Sequence, residues 1–136
     1  MAKLSAPAPS ILLVEDNEKN IELTVDLLLD AGYPVTVARN TDEARDRLRD
    51  RMPDLILLDI ALPGEDGLAL LDDIRFLPGG EAVPVIAFTA YNLTADMHQL
   101  IASGCDGFIG KPFKQAEFLA TVARFLAGGR AAKSAK

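Results

Sequence analysis

Along the chain, short apolar runs alternate with longer segments whose apolar positions recur three and four residues apart. ILLV from Ile11 to Val14, VTVA from Val35 to Ala38, LILL from Leu55 to Leu58, VIAF from Val85 to Phe88 and GFI from Gly107 to Ile109 are too short for helices and read as strands. Strands alternating with helical segments predict βαβ units and a parallel sheet. The expected fold class is α/β: a doubly wound (βα)5 unit with five parallel strands.

The helical segments carry their own start and stop signals. Ile21, Val25, Leu28 and Leu29 repeat at helical spacing up to Gly32, which reads as the C-cap of a first helix. Asn40 with Glu43 forms a capping box opening a second helix; it stops before Pro53, and its arginines Arg45, Arg47, Arg49 and Arg51 read as a solvated face. A third helix turns Leu68, Leu71 and Ile74 inward and ends near Pro78, and a fourth starts around Thr94 and carries Met97, Leu100 and Ile101 before Gly104. In the last helix Phe118, Val122 and Phe125, flanked by Leu119 and Leu126, make one apolar stripe, read as core. Residues 1–9, rich in Ala, Pro and Ser, read as a disordered extension, residues 10–127 as one domain and residues 128–136 as a flexible tail.

Composition narrows the function. At 136 residues, 49% hydrophobic and 25% charged, the chain suits a single globular core. Its 20 acidic against 14 basic residues give a formal net charge of -6, which opposes binding to nucleic-acid phosphates. Cys105 is the sole cysteine, which excludes an internal disulfide and a CxxC metal or redox site. No uncharged run approaches the roughly 18 residues of a membrane helix, and MAKLSAPAPS lacks a signal-peptide apolar core, so a cytoplasmic protein that does not engage membranes is expected. His98 has no second histidine beside it and reads as a solvated helix residue.

Two of the apolar runs end in carboxylates. Glu15 and Asp16 follow the first strand and Asp59 follows the third. In a parallel sheet all strand C-termini open on one edge, and ligands bind there where the strand order reverses. In the order 2-1-3-4-5, strands one and three are neighbours at that point, so the three acids converge. Taken singly, each acid has an ordinary alternative as a solvated strand end or a helix N-cap. Together they need a cation to offset their repulsion, and Mg²⁺ suits an oxygen-only, half-open rim. The same edge receives Thr89 after the fourth strand and Lys111 after the fifth, a hydroxyl and an ammonium fit to hold a phosphoryl group.

VEDN at residues 14–17, LLDIALPGEDG at 57–67, FTA at 88–90 and KPF at 111–113 together resemble the receiver domains of two-component response regulators, CheY-like domains of flavodoxin-like fold. The resemblance spans Ser10 to about Ala127. It implies a phosphoacceptor switch that takes a phosphoryl group from a histidine kinase or histidine phosphotransfer protein. By the resemblance Asp59 is the phosphoacceptor, Asp16 and the Ala61 carbonyl bind Mg²⁺ with Asp59, and Glu15 holds the metal through water. Thr89 and Lys111 then contact the phosphoryl oxygens, and the Lys111–Pro112 bond is cis.

Asn17, Asn20, Ile21 and Pro112 border the cleft mouth and are the expected docking surface for the phosphodonor. Thr89 and Phe108 are the expected switch, relaying to an output surface near Tyr91, Leu93 and Met97, although Phe108 also has an ordinary reading as core. Phe108 stands where the family often has a tyrosine, and Ala61 and Tyr91 occupy positions that influence phosphoryl lifetime in the family. The expected protein is no enzyme beyond its own phosphorylation and dephosphorylation; it is a monomer or weak dimer whose output is contact with a downstream protein. Three rival readings meet specific residues. A flavodoxin-like electron carrier needs a Ser/Thr/Gly-rich loop where EDNEKN stands, and a haloacid-dehalogenase-type phosphatase needs an acid at position 61. A receiver-like docking scaffold without phosphorylation is opposed by the intact set Glu15, Asp16, Asp59, Thr89 and Lys111.

Overall fold

The computed structural model describes residues 9–59, 67–89, 104–110 and 113–130. Strands β1 (Ile11–Val14), β2 (Val35–Ala38), β3 (Leu55–Asp59), β4 (Val85–Thr89) and β5 (Gly107–Gly110) form one parallel sheet in the order β2-β1-β3-β4-β5. Helices α1 (Glu18–Asp30), α2 (Thr41–Asp50), α3 (Gly67–Phe76) and α4 (Gln115–Gly128) complete the described elements. The fourth helix expected from Thr94 lies outside the described residues.

The central strands are apolar without alternation because both faces are covered. Leu12, Val14, Ile56 and Leu58 pack with Ala44 and Leu48 of α2 and Leu70, Leu71 and Ile74 of α3. Ile11, Leu13, Leu55 and Leu57 point the other way, into Leu28 of α1 and Phe118, Val122 and Phe125 of α4. Phe113 stacks on Phe118 with centroids 4.7 Å apart and on Phe88 at 5.8 Å, which fastens α4 to the end of β4.

Several local expectations shift by a residue. Three strands run one residue further than the apolar runs, so Asp59 and Thr89 are ladder residues, in register with Phe88 and Gly110. Ala31 caps α1, and Gly32 follows it at φ +93°, the left-handed turn that a glycine takes without strain. Leu29, expected inward, is exposed; one residue around the helix from Leu28 is 100°, and Thr24 and Leu27 fill the buried face instead. Leu70 joins Leu71 and Ile74 as the buried face of α3. On α2 the Asn40 side chain accepts from the Glu43 N–H at 2.8 Å, while Glu43 returns its bond to the Arg39 N–H at 2.9 Å, one residue earlier than a strict capping box. Its arginine face is only partly solvated, because Arg45 reaches Asp73 of α3 at 2.7 Å.

The far end of the sheet holds a buried ion network. Asp106, its side chain fully covered, accepts from the Arg75 Nη2 at 2.8 Å, the Val85 N–H at 2.9 Å and the Arg130 Nε at 2.8 Å. Arg75 also donates to the carbonyls of Gly80, Val83 and Gly104. Burial pulls its guanidinium below the usual range, and Asp106 opposes that shift. α4 runs to Gly128, and Arg130 beyond it is tied to Asp106.

Candidate functional site

The site stands at the C-terminal edge of the sheet, where β1 and β3 lie side by side and their helices leave to opposite faces. Val14 pairs with Leu58, so the residues that follow, Glu15 and Asp59, emerge at one level. The Glu15 N–H donates to the Ala38 carbonyl at 2.9 Å, which carries β1 one residue past its last ladder position before the chain turns into α1. That turn is set locally: the Asn17 side chain caps α1 by accepting the Asn20 N–H at 3.0 Å, and Glu15 Oε2 accepts the Asn17 N–H at 3.2 Å.

Glu15, Asp16 and Asp59 each offer a carboxylate oxygen, and these oxygens all lie within 4.8 Å of one another. Glu15 is 1% exposed and Asp59 6%, while Asp16 is open to solvent. Like charges this close repel one another, most strongly between the two buried members, where water screens least. An all-oxygen donor set, two members buried and one facing water, fits a hard divalent cation that keeps part of its shell for water or an incoming oxyanion. The expected donor set is therefore assembled as far as its side chains go; Ala61 lies outside the described residues.

The remaining expected residues divide. Thr89 ends β4, one position beyond the residue paired with Asp59. Phe108 is half-buried on β5, packed against the core that α2 and α3 share. Asn17 and Asn20 stand at the start of α1 beside the acids. Ile21 is a correction: at 5% exposure it belongs to the core with Leu28 and Leu57 and offers a partner no surface, because the stripe that turns α1 onto the sheet begins with it. Lys111, Pro112, Tyr91, Leu93, Met97 and His98 lie outside the described residues, as does the Lys111–Pro112 bond.

Another nucleophile, Cys105, lies with the far-end network. It is buried against the Gly107 carbonyl at 3.1 Å, and burial pushes its thiol up to about 11, so it stays protonated and unreactive near neutrality. Sequence reasoning missed Asp106, whose partners are distant in the chain. The signal present was an acid set between Cys105 and the strand GFIG, where burial requires a cation.

No helix among the described residues is long and apolar enough to cross a membrane. The family model of the response regulator receiver domain matches residues 11–123. The polar-differentiation response regulator DivK of Brucella anthropi is 38% identical over 117 residues, which are 86% of this chain and 95% of that protein. The receiver domain of a sensor histidine kinase from Pseudomonas aeruginosa PAO1, solved with a magnesium ion coordinated in its active site cleft, is 34% identical with a TM-score of 0.81, over 88% of this chain and 98% of that one. The signal receiver domain of a histidine kinase from Syntrophus aciditrophicus is 35% identical with the same TM-score, over 89% of this chain and 92% of its own. An acid cluster at the switch point of a 2-1-3-4-5 parallel sheet and these likenesses lead to one conclusion: the chain belongs to the response regulator receiver domain family, the CheY-like receivers of two-component signalling.

Proposed function

We propose that the protein is a phosphoacceptor switch in which Asp59 takes a phosphoryl group from a phosphohistidine of a histidine kinase or histidine phosphotransfer protein. The observation that carries this reading is the convergence of Glu15, Asp16 and Asp59, two of them buried. One Asp59 carboxylate oxygen attacks phosphorus, the P–N bond breaks with its electron pair passing to the imidazole, and an acyl phosphate results. Mg²⁺, held by Asp16, Asp59 and the Ala61 carbonyl with Glu15 behind it, would offset the negative charge of the acids and the phosphoryl oxygens. Lys111 and Thr89 hold those oxygens as donors. The test is labelling by acetyl phosphate with and without Mg²⁺: acid-labile phosphate that accumulates only with the metal supports the proposal, and metal-independent labelling overturns it. The protein carries out this transfer on itself and turns over no external substrate.

The donor docks across the start of α1 at Asn17 and Asn20, with Pro112 beside it, so that the phosphorus comes within about 3 to 3.5 Å of the Asp59 oxygen. Asn20 supplies only its backbone N–H to the Asn17 cap, so Asn20→Tyr adds bulk at the mouth without removing the cap. It is expected to slow transfer from a phosphohistidine protein about tenfold or more while acetyl phosphate labelling holds. Equal loss of both reactions would instead mean a damaged site.

Output runs through Thr89 and Phe108 toward Tyr91, Leu93 and Met97, and ends in contact with a downstream protein. The phosphoryl group draws the Thr89 hydroxyl, and the space it vacates admits the Phe108 ring. A partner gains only what it discriminates between the two states. Thr89→Ala is accordingly expected to accept phosphate yet lose most of the gain in partner affinity that beryllofluoride, a phosphoryl mimic, produces in calorimetry. An undiminished gain removes Thr89 from the route.

A further inference from the structure

At the opposite end of the sheet from the acid cluster, a cavity of about 590 Å³ lies between the C-terminal turn of α2 and the outer strand β2. Its walls include Pro34, Thr36 and Pro53, and Arg47, Asp50 and Arg51 from the end of α2. Its volume is in the range of small-molecule sites. Three features of the local fold make it. β2 is the sheet edge, so nothing beyond it in the sheet covers this side. Thr36 shares its face with Ala38, but α2 buries only Ala38 and leaves Thr36 exposed. Arg51 leaves the helix with an extended backbone, φ -165° and ψ 129°, and Pro53 follows. The floor is pinned, since Ser10 and Asp54 exchange backbone and side-chain hydrogen bonds and the Ile11 N–H donates to the Pro34 carbonyl at 3.0 Å.

The charges around this cavity are selective. The chain has eight arginines. Arg39, Arg45, Arg49, Arg75 and Arg130 are each ion-paired with a carboxylate, and Arg124 lies over the Phe125 ring at 4.9 Å. Arg47 and Arg51 are the two that remain, no carboxylate among the described residues lies within ion-pair distance of either, and both line this one cavity. In a chain with an excess of acids, two guanidinium groups from residues four apart, both lining one cavity and neither ion-paired among the described residues, are a waiting cation pair. Planar forks of this kind hold phosphate and carboxylate oxygens bidentately. Asp50 beside them adds an acceptor for a hydroxyl or amine, and the ring faces of Pro34 and Pro53 offer apolar contact.

We propose that this cavity binds a small organic anion, its phosphate or carboxylate group seated on Arg47 and Arg51 and its apolar body against Pro34 and Pro53. The test is an NMR titration of the ¹⁵N-labelled full chain, without added divalent metal, using phenyl phosphate, benzoate and inorganic phosphate as probes. Phenyl phosphate is expected to move the Thr36, Val37 and Arg51 amides saturably and to bind at least tenfold more tightly than inorganic phosphate. The doubly substituted Arg47→Gln, Arg51→Gln protein, altered only at exposed side chains, is expected to bind at least tenfold more weakly with its Glu15 and Asp16 amides unmoved. Benzoate equal to phenyl phosphate supports the site and makes its ligand a carboxylate; weaker benzoate supports it and makes the ligand a phosphate ester. Shifts that never saturate, that persist unchanged in the double variant, or that centre on Glu15, Asp16 and Asp59 overturn the proposal. The same amides moving when the protein alone is concentrated would also overturn it, giving the arginines to the acidic surface of a second copy.

Discussion

With Asp59→Asn, acetyl phosphate in the presence of Mg²⁺ leaves acid-labile phosphate lower than in the unaltered protein by about two orders of magnitude or more. Asparagine keeps the size and shape of the side chain, so the 6% exposed pocket at the end of β3 is refilled without a cavity. What is lost is the nucleophile, since a neutral amide does not attack phosphorus as a carboxylate does. The substitution also removes one of three mutually repelling charges. In metal-free buffer the variant is therefore expected to melt at the same temperature as the unaltered protein or slightly above it, which separates loss of chemistry from loss of fold. Retention of labelling at the unaltered level would transfer the acceptor role to Asp16, the exposed member of the cluster, and end the Asp59 assignment.

How much of this was legible depends on distance along the chain. The strand placements were readable because a strand buried on both faces leaves a continuous apolar run, and Leu55 to Leu58 admits few other readings. The acid cluster was readable because the pair Glu15 and Asp16 follows one such run and Asp59 another, and parallel topology places all such positions on one edge. Ile21 shows where the reasoning broke. It was counted both in the inward stripe of α1 and on the docking surface, and one side chain cannot serve both; the stripe prevailed, since burial of an isoleucine is worth roughly 1.5 to 3 kcal/mol. Leu29 failed for a smaller reason, since a helix face centred on Thr24 and Leu28 leaves it to the side. Arg130 had no local signal at all. Read in sequence it belongs to a Gly-rich tail, and only the fold brings it to Asp106.

That contact leads to the second large effect, on stability. Asp106→Ala is expected to lower the unfolding free energy by about 3 to 5 kcal/mol, the usual cost of breaking a buried ion pair by removing one partner. Against a typical domain stability of about 5 to 15 kcal/mol this is a third or more of the total. The cost arises from what is left behind. Arg75, its side chain 13% exposed, keeps a charge whose carboxylate is gone, and the Val85 N–H at the start of β4 loses its acceptor. Arg130 is in a different position: 29% exposed, it turns to water when released and donates to the Glu81 and Gly104 carbonyls besides. Arg130→Ala is thus expected to cost only about 1 kcal/mol, because the buried Asp106 carboxylate keeps Arg75 as its cation and the Val85 N–H as a donor. Urea unfolding checks both, with midpoints shifting and slopes unchanged if the native and unfolded states keep their compactness. A loss below about 1 kcal/mol in Asp106→Ala would mean that water replaces the carboxylate between Arg75 and Val85, and that the network positions the start of β4 without stabilising it.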